Sequence, residues 1–356
     1  MGKRLMPAAD RDAPVDATRR HLLGAAMAGI ACVGAANWSV ATPRPQRGVE
    51  IVGAPSNLGL RPLRPGHVPG AWRTPQVLRT HGLAHRLGAA DRGDVPAPAY
   101  TPVRDPATGY RNGAGLVAYT PLLAQQIGAV LDGGRLALVL GGDCSVLLGS
   151  ALALKRRGRY GLLFVDGHTD FYFPPHAQTS TAAGTDLALA TGHGPAALVD
   201  IEARAPYVRE ADAVVFGYRD YGAPDVVDTE RFLRAAFARY PLERVRSLGT
   251  SAAMRDALRT LERPDLDGFW IHVDVDVLDP GIMPAVDSFD PGGMQFAELE
   301  DALAIALASS RVVGMELTIY DPDLDADGKL AERLIAILER AFARAGLIDV
   351  RKPATG

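Results

Sequence analysis

Leu163-Phe164-Val165-Asp166-Gly167-His168-Thr169-Asp170 runs from an apolar stretch straight into three side chains able to hold a metal. Gly161 to Val165 reads as a strand, and an extended chain points positions i, i+2 and i+4 to one side. Asp166, His168 and Asp170 therefore converge as they leave it. Like charges on one face repel unless something positive lies among them. A divalent cation resolves that repulsion, and carboxylate with imidazole suits one. The competing reading is a solvated loop.

Three further segments repeat the pattern of apolar strand followed by polar exit. In Phe269-Trp270-Ile271-His272-Val273-Asp274-Val275-Asp276-Val277-Leu278-Asp279-Pro280, Asp274 and Asp276 share a face, and no Lys or Arg occurs between Arg263 and Arg311 to pair them. Leu138 to Ser145 gives a strand, a Gly141-Gly142 turn and a helix start. Alone it is an ordinary turn, with Cys144 a small buried hydrophobe. Gly314 to Pro322 sets Glu316 inside an apolar strand, where a buried carboxylate either pairs or faces a site.

Further strands are expected over Val49–Gly53, Arg135–Leu140, Ala213–Tyr218, Phe269–Val275 and Val312–Ile319. Helical periodicity lies between them, over Pro121–Leu131, Ser145–Arg157, Asp228–Ala238, Ser251–Leu261, Ala297–Ala308 and Lys329–Ala345. Continuously apolar strands separated by helices predict an α/β fold, a three-layer αβα sandwich around a mostly parallel sheet. Ligands in such sheets sit beyond the carboxyl ends of the strands, where this chain puts its acids. The Gly-, Pro- and Arg-rich residues 59–75 and 88–115 are expected as long loops on one rim.

The chain has 38 basic and 41 acidic residues, a balance without the basic excess of a nucleic-acid binder. Its 2 cysteines cannot build a disulfide framework. Beyond the first forty residues no uninterrupted apolar run reaches about 18, so the body is not expected to span a membrane. The N-terminus differs. Thr18-Arg19-Arg20-His21-Leu22-Leu23, the small-residue apolar stretch to Ala36 and Ser39-Val40-Ala41 read as a twin-arginine signal peptide over residues 1–41. Residues 42–356 then form a single catalytic domain, exported to the periplasm or beyond. Cleavage after Ala41 would remove Cys32 and leave Cys144 alone. The alternative is a membrane-anchored N-terminal helix.

Gly141-Gly142-Asp143-Cys144-Ser145, Asp166-Gly167-His168-Thr169-Asp170 and Asp274-Val275-Asp276-Val277-Leu278-Asp279-Pro280 together resemble the motifs of the ureohydrolases (arginase, agmatinase, guanidinobutyrase, formimidoylglutamase). Those motifs are Gly-Gly-Asp-His-Ser, Asp-Ala-His-x-Asp and Asp-x-Asp-x-x-Asp-Pro, in the same order. Asp290-Pro291-Gly292-Gly293 is similar to the family's Pro-Gly-Gly ending. The resemblance implies an arginase-like fold with two Mn2+ sites, or one if Cys144 does not bind. Asp166 and Asp274 would bridge the metals. His168 and Asp276 would complete one site, with Asp170 and position 144 on the other. The implied reaction is attack of metal-activated hydroxide on a guanidino or amidino carbon of a small cationic substrate, releasing urea or formamide and an amine. Trimers and hexamers are common among such enzymes.

Three departures bear on substrate. Cys144 stands where the first His ligand belongs; a thiolate favours Zn2+, Fe or Cu(I), so one metal is weakened, absent or different. The hydroxyarginine-hydrolysing branch of the family resembles this chain in that exchange, and a helix start at residue 144 would favour thiolate. The family's His-Gly pair is not found at its place after the second motif, where Gly184-Thr185-Asp186-Leu187-Ala188 stands; Asp186 is the nearest polar residue, with His176 and His193 close in sequence. The Glu that holds the guanidinium would fall near Thr318 or Ile319; Glu316 lies earlier and would need a register shift to reach the site. Asp170, Asp186 and Glu316 are the expected catalytic residues. The alternatives are a hydroxyarginine-type amidinohydrolase with an altered metal site, a deacylase on the same fold and a non-catalytic metal-binding homologue.

Overall fold

Among the described residues, eight strands pair in parallel, in the order β2-β1-β3-β8-β7-β4-β5-β6. They are β1 Val49–Ala54, β2 Ala90–Asp94, β3 Leu136–Gly141, β4 Tyr160–Val165, β5 Ala213–Phe216, β6 Ala238–Tyr240, β7 Gly268–Asp274 and β8 Val312–Thr318. The computed structural model describes residues 47–173, 181–220 and 226–349. The expected signal segment and His176 lie outside them. The described residues belong to one unit, Pro45–Gly356.

Period-two alternation divides the strands' side chains between two apolar layers. Leu136, Leu138, Leu163, Val165, Ile271, Val273, Met315 and Leu317 pack on one face under the helices Thr250–Leu261, Phe296–Leu307 and Lys329–Arg344. Ala137, Val139, Leu162, Phe164 and Trp270 pack on the other under Gly113–Asp132 and Leu147–Lys155. This is the αβα sandwich that the apolar runs predict. Each fully buried Leu or Phe is stabilised by roughly 1.5–3 kcal/mol relative to exposure.

The six expected strands are present within two or three residues at their ends. The edge strands β2 and β6 carry no apolar run: all of Ala-Asp-Arg-Gly-Asp in β2 is exposed, and β6 has three residues. Backbone pairing holds them, helped by Arg79 bound to Asp91 and Asp94 on β2 and by the buried Tyr240 on β6. The loop expected over 88–115 therefore contains β2 and ends in a helix start at Gly113. That helix begins well before Pro121, which sits inside it. By length and hydropathy it could cross a membrane. Here Leu116, Leu123, Ile127 and Val130 instead bury one face of it in the core.

At the rim away from the metal-capable residues, the fully buried Asp212 takes Arg159 through Nε at 2.7 Å and is also bound by Arg263. Both guanidinium groups remain about one-third exposed, which weakens the pair relative to a dry one. Asp212→Ala is expected to cost about 2 kcal/mol in urea unfolding and to leave metal content unchanged.

Candidate metal centre

The four central strands β3, β8, β7 and β4 end beside one another, and their exits build the site. Gly142 makes the first exit. A Cβ there would lie 2.0 Å from the carbonyl oxygen of Ser56, so only glycine lets the two backbones pass. Asp143 braces the turn, accepting from Ser56 Oγ at 2.7 Å and from Ser145 N at 2.9 Å. Cys144 is thereby aimed inward. Its Sγ donates to Asp274 Oδ2 at 2.6 Å and lies 3.5 Å from Thr318 Oγ1.

Burial, and then the charges of Asp274, Asp186, Asp166 and Asp170, push the Cys144 thiol well up. In the metal-free protein these surroundings oppose the thiolate that a helix start favours. Asp170, Asp186 and Asp274 are pushed up in the same way, by burial first and neighbouring carboxylates second. Asp166 rises by burial and by Asp276. Such crowding is unfavourable unless cations share the space.

Among the described residues, three donor sets come together: Asp166, His168 and Asp276; Cys144, Asp166 and His272; and Cys144, Asp170 and Asp186. Within each, the donor atoms lie within 4.8 Å of one another. Asp166 Oδ2, Asp186 Oδ2 and His272 Nε2 are buried with no hydrogen-bond partner. Orphaned acceptors deep in a fold are costly, and a divalent cation would satisfy them together. The residues fit a metal. Of the residues expected as ligands, Cys144, Asp166, His168, Asp170 and Asp276 fall in these sets; Asp274 adjoins them through Cys144.

His168 directs Nδ1 at Asp276 Oδ2, 3.0 Å away, and Nε2 at Asp290 Oδ2, 2.9 Å away. Burial opposes its charged form, but Asp276, Asp166 and Asp290 outweigh that and raise its pKa. Burial likewise works to raise Asp276, yet the neighbouring His168 and Arg219 hold it below the usual range. Asp290 was not singled out as a site residue in the sequence. It fixes the His168 ring so that Nδ1 faces the donor set, as a carboxylate does behind a metal-binding imidazole. Asp290→Asn is expected to weaken metal affinity at this position about 10-fold or more, read by chelator competition.

Asp170 stands at φ +41° and Ile319 at +71°, two non-glycine residues in the left-handed region beside the site. For a β-branched residue such as Ile319 that conformation costs roughly 1–3 kcal/mol; its N–H is held by the Gly142 carbonyl at 2.8 Å.

The substrate-side candidates divide. Asp186 is fully buried at the start of the helix Asp186–Ala190 and joins the donors. His193 instead pairs with Glu210 Oε1 at 2.7 Å and rests on Phe171 and Phe173. Glu316 accepts from Ser150 Oγ at 2.5 Å and from His272 Nδ1 at 2.7 Å, so both oxygens are engaged inside the fold. Its placement matches the hydrogen-bonded acid rather than a substrate contact, because the strand register pairs Glu316 with His272. His272 was quoted in the sequence without a role. Its parity with Asp274 and Asp276 was the signal that could have found it.

A sequence profile described as the arginase family matches residues 47–343. Arginase from Staphylococcus aureus (strain MRSA252) is 26% identical over 305 residues, covering 83% of this chain and 97% of that protein. The native arginase structure from Bacillus caldovelox superposes with a TM-score of 0.75 at 25% identity, covering 83% of this chain and 98% of the other. Formimidoylglutamase from Bacillus subtilis shares the fold at a TM-score of 0.65 and 20% identity, covering 84% and 87%. With a family match spanning the sheet, its helices and every donor described above, the chain belongs to the arginase family of hydrolases.

Proposed function

We propose that the chain is a divalent-metal-dependent amidinohydrolase acting on a small cationic guanidino or amidino compound and releasing urea, or formamide, and an amine. The observation that carries this reading is the set of three buried, unpartnered polar atoms among converging donors at the strand ends. Asp166, His168 and Asp276, all hard oxygen or imidazole donors, suit Mn2+. A bound divalent ion supplies Lewis acidity that lets water lose a proton near neutral pH. Asp170 lies beside that space with its carboxyl pushed up by burial and by Asp166 and Asp186. It is suited to take a proton and return it to the departing amine. Asp186 lies in a donor set with Asp170 and is not free to bind a distant amine.

A hydroxyguanidine is favoured over a plain guanidine by two features. A thiol occupies the position of the first His ligand, and Thr318 or Ile319 stands where a guanidinium-holding carboxylate would fall. Export by the twin-arginine route is part of the proposal. The family match begins at residue 47, beyond the expected cleavage after Ala41, and that route carries proteins already folded around their metal.

Metal-loaded mature protein should release urea or amine from at least one member of a panel of guanidines, hydroxyguanidines and amidines. Asp170→Asn should abolish that turnover while keeping the ion held by Asp166, His168 and Asp276. Turnover unchanged in Asp170→Asn, or absent from the whole panel in the metal-loaded wild type, would contradict the catalytic reading.

A further inference from the structure

One row across the sheet is unlike its neighbours. Phe164 on β4, His272 on β7 and Glu316 on β8 stand in register, with Val139 on β3 completing the row. The face they share is otherwise Leu162, Trp270, Ala137 and Val139, sealed by the helix Leu147–Lys155. An imidazole and a carboxylate in such a layer need a reason. Glu316 is satisfied on both oxygens, by Ser150 Oγ and His272 Nδ1. A carboxylate only accepts, so Nδ1 carries the proton and donates. Phe164 stacks on the imidazole with ring centroids 4.6 Å apart and planes within 6°, which fixes the ring's direction.

The other nitrogen is left over. His272 Nε2 is buried without a hydrogen-bond partner, and the nearest charged atom is Asp186 Oδ2 at 3.7 Å. With Nδ1 engaged by Glu316, Nε2 is the ring nitrogen left to bind. That nitrogen faces Asp166 and Cys144 within 4.8 Å, and the oxygens of Asp166 and Asp186 there are themselves orphaned. Acceptors facing acceptors in a closed space repel; a cation among Cys144, Asp166 and His272 would turn the Asp166 oxygen and Nε2 into ligands.

We propose that His272 Nε2 is a metal ligand, forming with Cys144 Sγ and Asp166 a sulfur–nitrogen–oxygen position for a borderline divalent cation such as Zn2+, Co2+ or Fe2+. Binding displaces the thiol proton to solvent. The imidazole lost at position 144 is thus supplied from β7, and Glu316 is a positioning residue that holds the His272 tautomer through Nδ1. The harder set of Asp166, His168 and Asp276 remains a separate position, so the two metal positions differ in chemical preference. This inference rests on the reading that metal occupies the site at all.

The test uses wild-type mature protein loaded with Co2+, which needs no variant to fold. Anomalous diffraction at the cobalt edge should place an ion about 2.0–2.1 Å from His272 Nε2 and about 2.3 Å from Cys144 Sγ. Near-ultraviolet spectra should show a thiolate-to-cobalt charge-transfer band. In solution, His272→Asn should lose about one cobalt equivalent and that band, while keeping the ion at His168. Glu316→Gln, which retains packing volume, should weaken cobalt affinity about 10- to 100-fold at this position and leave the other unchanged. Cobalt at His168 with no ion near His272, and no charge-transfer band, overturns the inference while the metal-hydrolase reading stands. No cobalt anywhere overturns both.

Discussion

Asp166→Asn is expected to raise the unfolding midpoint of the metal-free protein while lowering turnover of a guanidino substrate about 10³-fold or more. The two effects have one origin. Asp166 is fully buried, and burial with the nearby Asp276 disfavours its charge. Asparagine removes that charge and keeps an oxygen to accept from His168 N, as Asp166 Oδ1 does at 2.6 Å. Its amide can also donate toward the crowded acids, where Oδ2 has no partner. The metal-free fold therefore gains. The loaded enzyme loses, because Asp166 is common to two of the three donor sets and a neutral amide binds divalent cations poorly. Lewis-acid stabilisation worth several kcal/mol corresponds to about three powers of ten in rate. Thermal scans in chelator and a urea-release assay, run on the same preparation, check the pair. A variant less stable than wild type without metal would show that Asp166 is held by something other than a cation.

The second large effect is a stability curve whose slope with pH depends on metal. Asp166, Asp170, Asp186 and Asp274 all have pKa values raised in the fold. Above about pH 4 the folded state therefore holds protons that the unfolded chain has released, and stability falls as pH rises through the raised values. His168 is raised too and contributes with the same sign, its share being lost as pH climbs through its folded value. Asp276 and Asp290 are lowered, so their loss falls below about pH 4, outside this window. Metal-free protein should accordingly melt at a lower temperature at pH 8 than at pH 5. Metal binding requires deprotonated ligands, so its stabilisation grows with pH. At a free concentration 100 times the dissociation constant, one site adds about 2.7 kcal/mol, or roughly 4 °C for a chain of this size. The loaded and stripped curves should diverge between pH 5 and 8. A flat curve for stripped protein would mean that the acids are not crowded as described.

The central sheet was legible because β1, β3, β4, β7 and β8 are almost wholly buried and so almost wholly apolar. The edges were not, since β2 buries no apolar side chain and is held by pairing to one neighbour and by exposed ion pairs of Asp91 and Asp94 with Arg79 and of Arg92 with Glu50. Pro121 misled in the other direction. Proline favours the first turn of a helix, yet here the buried stripe from Leu116 to Val130 carries the helix through it. At the site, strand parity placed Asp166, His168, Asp274 and Asp276 together. The same rule covers His272, two residues before Asp274, but a histidine within an apolar strand reads equally well as core. Only the register with Glu316 and the unpartnered Nε2 separate the two. Asp290 was out of reach of any spacing argument, because a loop with its own bend returns it to His168 from 122 residues away.

The claim beneath all of this is that the strand-end acids coexist because divalent cations lie among them. Elemental analysis of mature protein purified without added chelator, with native mass spectrometry on the same sample, measures that directly. Two divalent ions per chain are predicted, with one lost when Asp276 is replaced by alanine. Protein that is folded, holds no stoichiometric divalent ion and takes up none on incubation with Mn2+, Zn2+ or Co2+ would contradict it.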